Sequence, residues 1–227
     1  MHTNNNRVIA GFYIQFIKQI KGIPRVLRDD QGTENLTVAC FQRFLMSHST
    51  EALSGTESFV YGRSVSNQRI EAWWSFLRRS ETGWWINFSK DLRDSGQFNN
   101  SSPLNLNCIR FSFIALIQEE LTRVARQWNL HYIRSSPNTE TVPGRPDVLF
   151  FLPELQGTSY YKISVQTEEL QVIQDMCCTQ TTETGCSDEF CELAKLVMED
   201  ETLEYISNPE KSLLLYTRLK TSIEQML

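Results

Sequence analysis

Two short carboxylate-bearing segments constrain this chain more than any other feature. The first, Arg28–Asn35 (RDDQGTEN), follows an apolar run and carries a glycine turn, which predicts that Asp30 sits where a strand gives way to a loop. The second, Ser66–Trp74 (SNQRIEAWW), opens a helix with Glu71 in its first turn. A strand-end carboxylate and a helical one, 41 residues apart, are the later two members of an Asp…Asp…Glu set for divalent cations. The first member belongs on an earlier strand. No Asp or Glu precedes Asp29 in this chain.

At 227 residues, with 41% hydrophobic and 22% charged side chains, the chain has the composition of a globular protein of one domain plus a smaller appendage. No apolar stretch approaches the roughly 20 residues of a membrane helix, and the N-terminus lacks the basic-then-apolar order of a secretory signal. A cytoplasmic or nuclear location is expected. The net charge of −5 is unevenly spread. Residues 1–153 hold 17 basic and 13 acidic side chains, and residues 154–227 hold 5 and 14. A mildly basic body can hold a polyanion that an acidic tail repels, and a solvated acidic helix pair accounts for the tail equally well. Cys40 and Cys108 read as small buried hydrophobes. Cys177, Cys178, Cys186 and Cys191 lack the spacing of a zinc site and read as free thiols.

Helices are predicted over about 7–21, 36–46, 67–80, 84–96 and 104–129, with an acidic pair near 187–203 and 209–226. In the first, Val8, Phe12, Phe16 and Ile20 recur at four-residue steps, and Gly22 and Pro24 end the run. A strand is expected over Arg25–Arg28, and residues 47–60 read as a strand and a loop. Ser135–Gly144 is a loop leading to the apolar segment Val148–Leu152. The character changes past Pro153. The expected division is therefore 1–157 and an acidic helical region, 158–227.

Two cations about 4 Å apart, held by carboxylates, activate a water or 3′-hydroxyl and steady the leaving oxygen. Hard oxygen ligands select Mg²⁺ or Mn²⁺. In the Glu71 helix, Ile70, Trp73, Trp74 and Leu77 fall on one face expected to bury. Glu71, Ser75 and Arg78 fall on the adjacent one. Arg63, Asn67, Arg69, Arg78 and Arg79 form a candidate phosphate-contacting set. Each feature also has a plain structural reading: Asp30 as a turn residue, Glu71 as a first-turn carboxylate favouring the helix dipole, the tryptophans as core, Arg78 and Arg79 as a solvated helix end.

Taken together, the blocks resemble a known family. Arg28–Asn35 is similar to the S/T-D-N-G-T-E block of retroviral-type integrase cores, with Asp30 on the catalytic aspartate. Residues 61–74 (YGRSVSNQRIEAWW) resemble the later block, with Glu71 on the catalytic glutamate. With Trp128–Arg134 (WNLHYIR), Gly144–Pro146 (GRP) and Leu152–Leu155 (LPEL), the pattern looks like the transposon-derived integrase-core proteins of animal genomes, over about residues 4–160. The resemblance implies an α/β, RNase H-like fold, a mixed sheet flanked by helices, that binds DNA and two divalent metals. Against that pattern the chain enters near the end of the third strand, so a partial fold without its first strands is expected. Asp29 does not replace the missing aspartate, because alternate residues of an extended segment point to opposite faces.

Three readings follow. The leading one is a truncated, domesticated integrase-like protein without catalysis, keeping weak nucleic-acid binding and needing no cofactor. The second is an active strand transferase or nuclease whose first Asp comes from elsewhere. In the third, a protein-interaction module, the acidic tail binds a partner protein. Unpaired strand edges would also favour a homo-oligomer.

Overall fold

Asn5 starts the first helix: its side-chain oxygen accepts from the Arg7 N–H at 3.0 Å, satisfying one of the donors a helix start leaves open. In the computed structural model the elements run α1 (Asn6–Ile20), β1 (Ile23–Pro24), β2 (Leu27–Asp29), α2 (Leu36–Leu45), β3 (Phe59–Tyr61), α3 (Gln68–Leu77), α4 (Gly83–Asp94), α5 (Pro103–Leu130), α6 (Pro146–Phe151), β4 (Lys162–Ile163), α7 (Thr167–Asp175), α8 (Asp188–Asp200) and α9 (Pro209–Met226). The structure describes all residues except 1–4, 31, 48–54, 63–67, 136–141, 178–183, 205–207 and 227. The architecture is mixed but mostly helical. Among the described residues, β1 pairs antiparallel with β4, and β2 pairs parallel with β3. The chain divides into two compact units, Met1–Trp73 with His131–Gln180, and Trp74–Leu130 with Thr181–Leu227. The change of character near residue 157 divides the chain by composition; these units divide it by packing.

In the first unit, Lys21 closes α1 with a left-handed φ of 54°, and the Gly22 N–H bonds back to the Ile17 carbonyl at 3.0 Å. Gly22 is held to glycine by proximity. A Cβ there would lie 2.6 Å from Lys162 Cγ and 2.7 Å from the Ile163 carbonyl. The core joins Ala10, Ile14 and Ile17 of α1 to Val38, Ala39, Phe41 and Leu45 of α2, with Ile23, Phe59 and Ile173. The expected stripe of Val8, Phe12, Phe16 and Ile20 is therefore not the buried face. Strict four-residue steps drift around a helix of 3.6 residues per turn. The stripe that stays aligned passes through Ala10, Ile14 and Ile17, while Phe12 is 54% exposed. The strand expected at Arg25–Arg28 is observed as Leu27–Asp29, where β3 supplies the partner. Gln42 is wholly buried; its amide donates to the Pro24 carbonyl at 2.8 Å and its oxygen accepts from the Tyr13 hydroxyl.

In the second unit, Ser102 starts α5. Its hydroxyl accepts from the Asn105 N–H at 3.3 Å, and Pro103 occupies a first-turn position where its missing N–H costs nothing. Helices α8 and α9 lay apolar faces on α5, burying Ala194, Val197, Leu215, Leu219 and Ile223 against Cys108, Phe111, Phe113 and Leu116. The buried Tyr216 hydroxyl donates to the Gln97 carbonyl at 2.9 Å and lies 3.0 Å from Asn105 Oδ1; burial pushes its pKa up to about 12. Ser187 caps α8 by accepting from the Phe190 N–H at 3.2 Å, with Asp188 and Glu189 in the first turn complementing the helix dipole.

The helix expected over 67–80 ends at Leu77 and passes through a wide turn, Arg78–Thr82, in which Ser80 leaves helical geometry (φ −74°, ψ −145°). The helix expected over 84–96 follows as α4. Helix α3 buries none of its residues: Ile70 and Trp74 are exposed, Trp74 by 55%, and Trp73 and Leu77 are half-buried. The expected burial of that face is thus corrected. Cys108 is fully buried as expected, but Cys40 is exposed, because it falls on the solvent side of α2. Cys178 lies outside the described residues.

Leu219 is fully buried in the second unit. Leu219→Ala is expected to lower unfolding stability by about 2–5 kcal/mol in denaturant titration. Leu214→Ala, on the exposed side of α9, is expected to stay within about 0.5 kcal/mol.

Candidate nucleic-acid and metal-binding site

The parallel ladder places both strand ends that matter on one edge. Leu27, Arg28 and Asp29 register with Phe59, Val60 and Tyr61, and the Gly62 N–H extends the pairing to the Asp29 carbonyl at 2.8 Å. Asp30 follows β2 directly, half-buried, and its carbonyl accepts from the Gly32 N–H at 2.8 Å. The carboxyl end of β3 leads through residues 62–67 into α3, whose first turn carries Glu71, exposed to solvent. In α/β proteins the loops beyond the carboxyl ends of parallel strands are where ligands collect.

Asp29 is the most perturbed carboxylate here. One oxygen accepts from the Asn35 side-chain amide at 3.0 Å, and the other is buried with no partner among the described residues. Burial raises its pKa above the ordinary carboxylate value. The Asn35 hydrogen bond opposes that shift, while the charges of Asp30 and Glu34 add to it. Arg43, which sequence reasoning passed over, stands beside the same ladder. Its guanidinium lies 5.7 Å from the Phe59 ring centre and 5.8 Å from that of Tyr61. Its Nε is buried without a hydrogen-bond partner among the described residues. The signal available in sequence was a lone charged side chain in the last turn of α2.

The structure treats the expected phosphate-contacting set unevenly. Arg63 and Asn67 lie outside the described residues. Arg69 donates from Nη2 to the Val142 carbonyl, so part of its guanidinium is already engaged. Arg78 and Arg79 are exposed in the wide turn after α3, where the Ser80 hydroxyl bonds the Phe76 carbonyl at 2.9 Å. Among the described residues, no three Asp, Glu, His or Cys side chains stand together so as to hold a metal ion. Asp30 and Glu71 therefore gather no third ligand there. The described donors do not fit a two-metal centre. The described cysteines likewise form no metal cluster.

A family model described as Integrase core domain matches residues 1–151. The chain belongs to the integrase core domain family. The match contains both the Asp30 segment and Glu71, and integrase core domains typically bind DNA and use Mg²⁺ or Mn²⁺. No curated protein and no solved structure matches the chain. Among the described residues, no helix of this integrase-core protein is long and apolar enough to cross a membrane.

The raised pKa of Asp29 gives a signed pH dependence. The folded state binds its proton more tightly than the unfolded state, so this group favours folding at acid pH. That contribution is lost as pH rises through the folded value. Asp29→Asn keeps an oxygen for Asn35 and removes the buried charge. In denaturant titrations across pH, the variant is expected to gain stability over the parent above the ordinary carboxylate range, with the gain disappearing below it.

Proposed function

We propose that this integrase-core protein is a domesticated, transposon-derived relative of integrases that holds DNA weakly and does not by itself carry out strand transfer. One observation carries the reading: within the family match, Asp30 stands just past the carboxyl end of β2, and β2 pairs in parallel with β3, the strand before the Glu71 helix. That is where an integrase-like site would be assembled. On this reading, residues 1–157 are a partial RNase H-like core of animal origin, and residues 158–227 are an acidic helical appendage. Asp30 and Glu71 are a vestigial metal pair, and Arg63, Asn67, Arg69, Arg78 and Arg79 contact phosphates, in the nucleus or cytoplasm.

The chemistry follows from ligand number. Two carboxylates hold two cations poorly, and loss of one ligand from such a centre removes the orientation of both nucleophile and leaving group. Phosphate contact needs no such centre. Arginines contact phosphates through a charge and a donor fork that work without metal.

Labelled duplex DNA incubated with the full chain and Mn²⁺ or Mg²⁺ is expected to show neither nicking nor strand transfer. Metal-dependent cleavage that disappears in Glu71→Gln would establish the active reading instead, with the first Asp supplied by another chain. Fluorescence anisotropy is expected to show binding that weakens as salt rises. Arg78→Ala and Arg79→Ala are each expected to reduce the slope of log affinity against log salt by about 1. Salt-independent binding, or none, would remove the nucleic-acid reading.

A further inference from the structure

Within the first compact unit, a cleft of about 440 Å³ opens between α1, α6 and the segment before β4. Its walls are chiefly Phe16, Val26, Leu149, Phe150, Tyr160 and Tyr161, and the charges on its lining are Arg25 and Lys162, with no acidic residue. The volume falls in the range of small-ligand and side-chain pockets. The aromatic wall is continuous. Phe16 lies 6.5 Å from Phe150, and Phe150 lies 5.8 Å edge-on to Tyr160. Phe16, Phe150, Tyr160 and Tyr161 nonetheless remain substantially exposed.

The two cations are held in place. Arg25 stacks 4.5 Å over the Tyr161 ring centre. Lys162 sits 5.2 Å from the Tyr160 centre and donates to the Ile20 carbonyl at 2.8 Å. Side chains fixed in advance lose less freedom when a ligand arrives. Binding a nucleic-acid strand calls for cations spaced along a backbone and a field that draws a polyanion. Here only two cations, Arg25 and Lys162, flank one apolar hollow. That pattern of charge and shape suits a side-chain anchor with an acidic neighbour.

We infer that this cleft binds a short acidic segment of a partner protein, seating one bulky apolar side chain in the hollow and an adjoining Asp or Glu against Arg25 and Lys162. The residues differ from those assigned above to metal or phosphate, so each inference stands or falls alone.

The test is selection of random short peptides displayed on phage against the full chain, then anisotropy with the fluorescein-labelled consensus peptide. The expected consensus places Phe, Trp, Leu or Ile beside Asp or Glu. Phe150→Ser and Arg25→Glu are each expected to weaken binding at least about tenfold. Phe12→Ser, an exposed aromatic of α1 outside the cleft, is expected to leave it unchanged. Thermal melts confirm that each variant folds. A peptide with its acidic residue replaced by Lys is expected to recover affinity toward Arg25→Glu, which loss of folding alone would not produce. No enriched peptide, a consensus without an acidic residue, or full binding by both cleft variants would overturn the inference. So would oligothymidylate binding that is lost in those same variants while peptide binding is not.

Discussion

The buried amide of Gln42 ties the first unit together. Its oxygen takes the Tyr13 hydroxyl of α1, and its nitrogen reaches the Pro24 carbonyl of β1. Removing either partner would strand a polar group in an apolar interior, a cost of about 1–3 kcal/mol. Because the side chain belongs to α2, one residue sets the spacing of two helices and the strand between them. β2 begins three residues beyond Pro24, so the placement of the ladder, and of Asp29 and Asp30 at its end, is inherited from this contact. A simple hydrophobic contact would fill the same space with less directional control.

Where local chemistry decides an element, the sequence was readable. Gly22 marked the end of α1 to within a residue or two, and the expected bounds of α5 and α9 match those observed as closely. Where the decision is made by a distant partner, it was not. β2 shifted toward Asp29 because its register is set by β3, about thirty residues on. The spacing of Val8, Phe12, Phe16 and Ile20 predicts the helix α1 but not its buried face, which runs through Ala10, Gly11, Ile14 and Ile17. The interruption at Ser80 has no proline to announce it; the nearest glycine, Gly83, begins the next helix.

The site shows the same division. The segments predicted Asp30 just past a strand and Glu71 in the first turn of a helix, and both residues lie there. Composition offered no means to find the buried oxygen of Asp29 or the buried Nε of Arg43. Their character comes from burial, which depends on which oxygen or nitrogen is covered when α2 closes on the ladder. The alternation argument that set Asp29 aside concerned metal ligation and said nothing of its proton.

The cysteines supply the chain with an internal clock. A thiolate is the reactive form, and burial holds the Cys108 thiol near a pKa of about 12, sealed from solvent within the second unit. Cys40 sits exposed in the first. An alkylating reagent would thus modify one sulfur at once and the other only when the α5–α9 packing breathes. The slow phase of labelling counts those openings, and so times the local unfolding of the second unit.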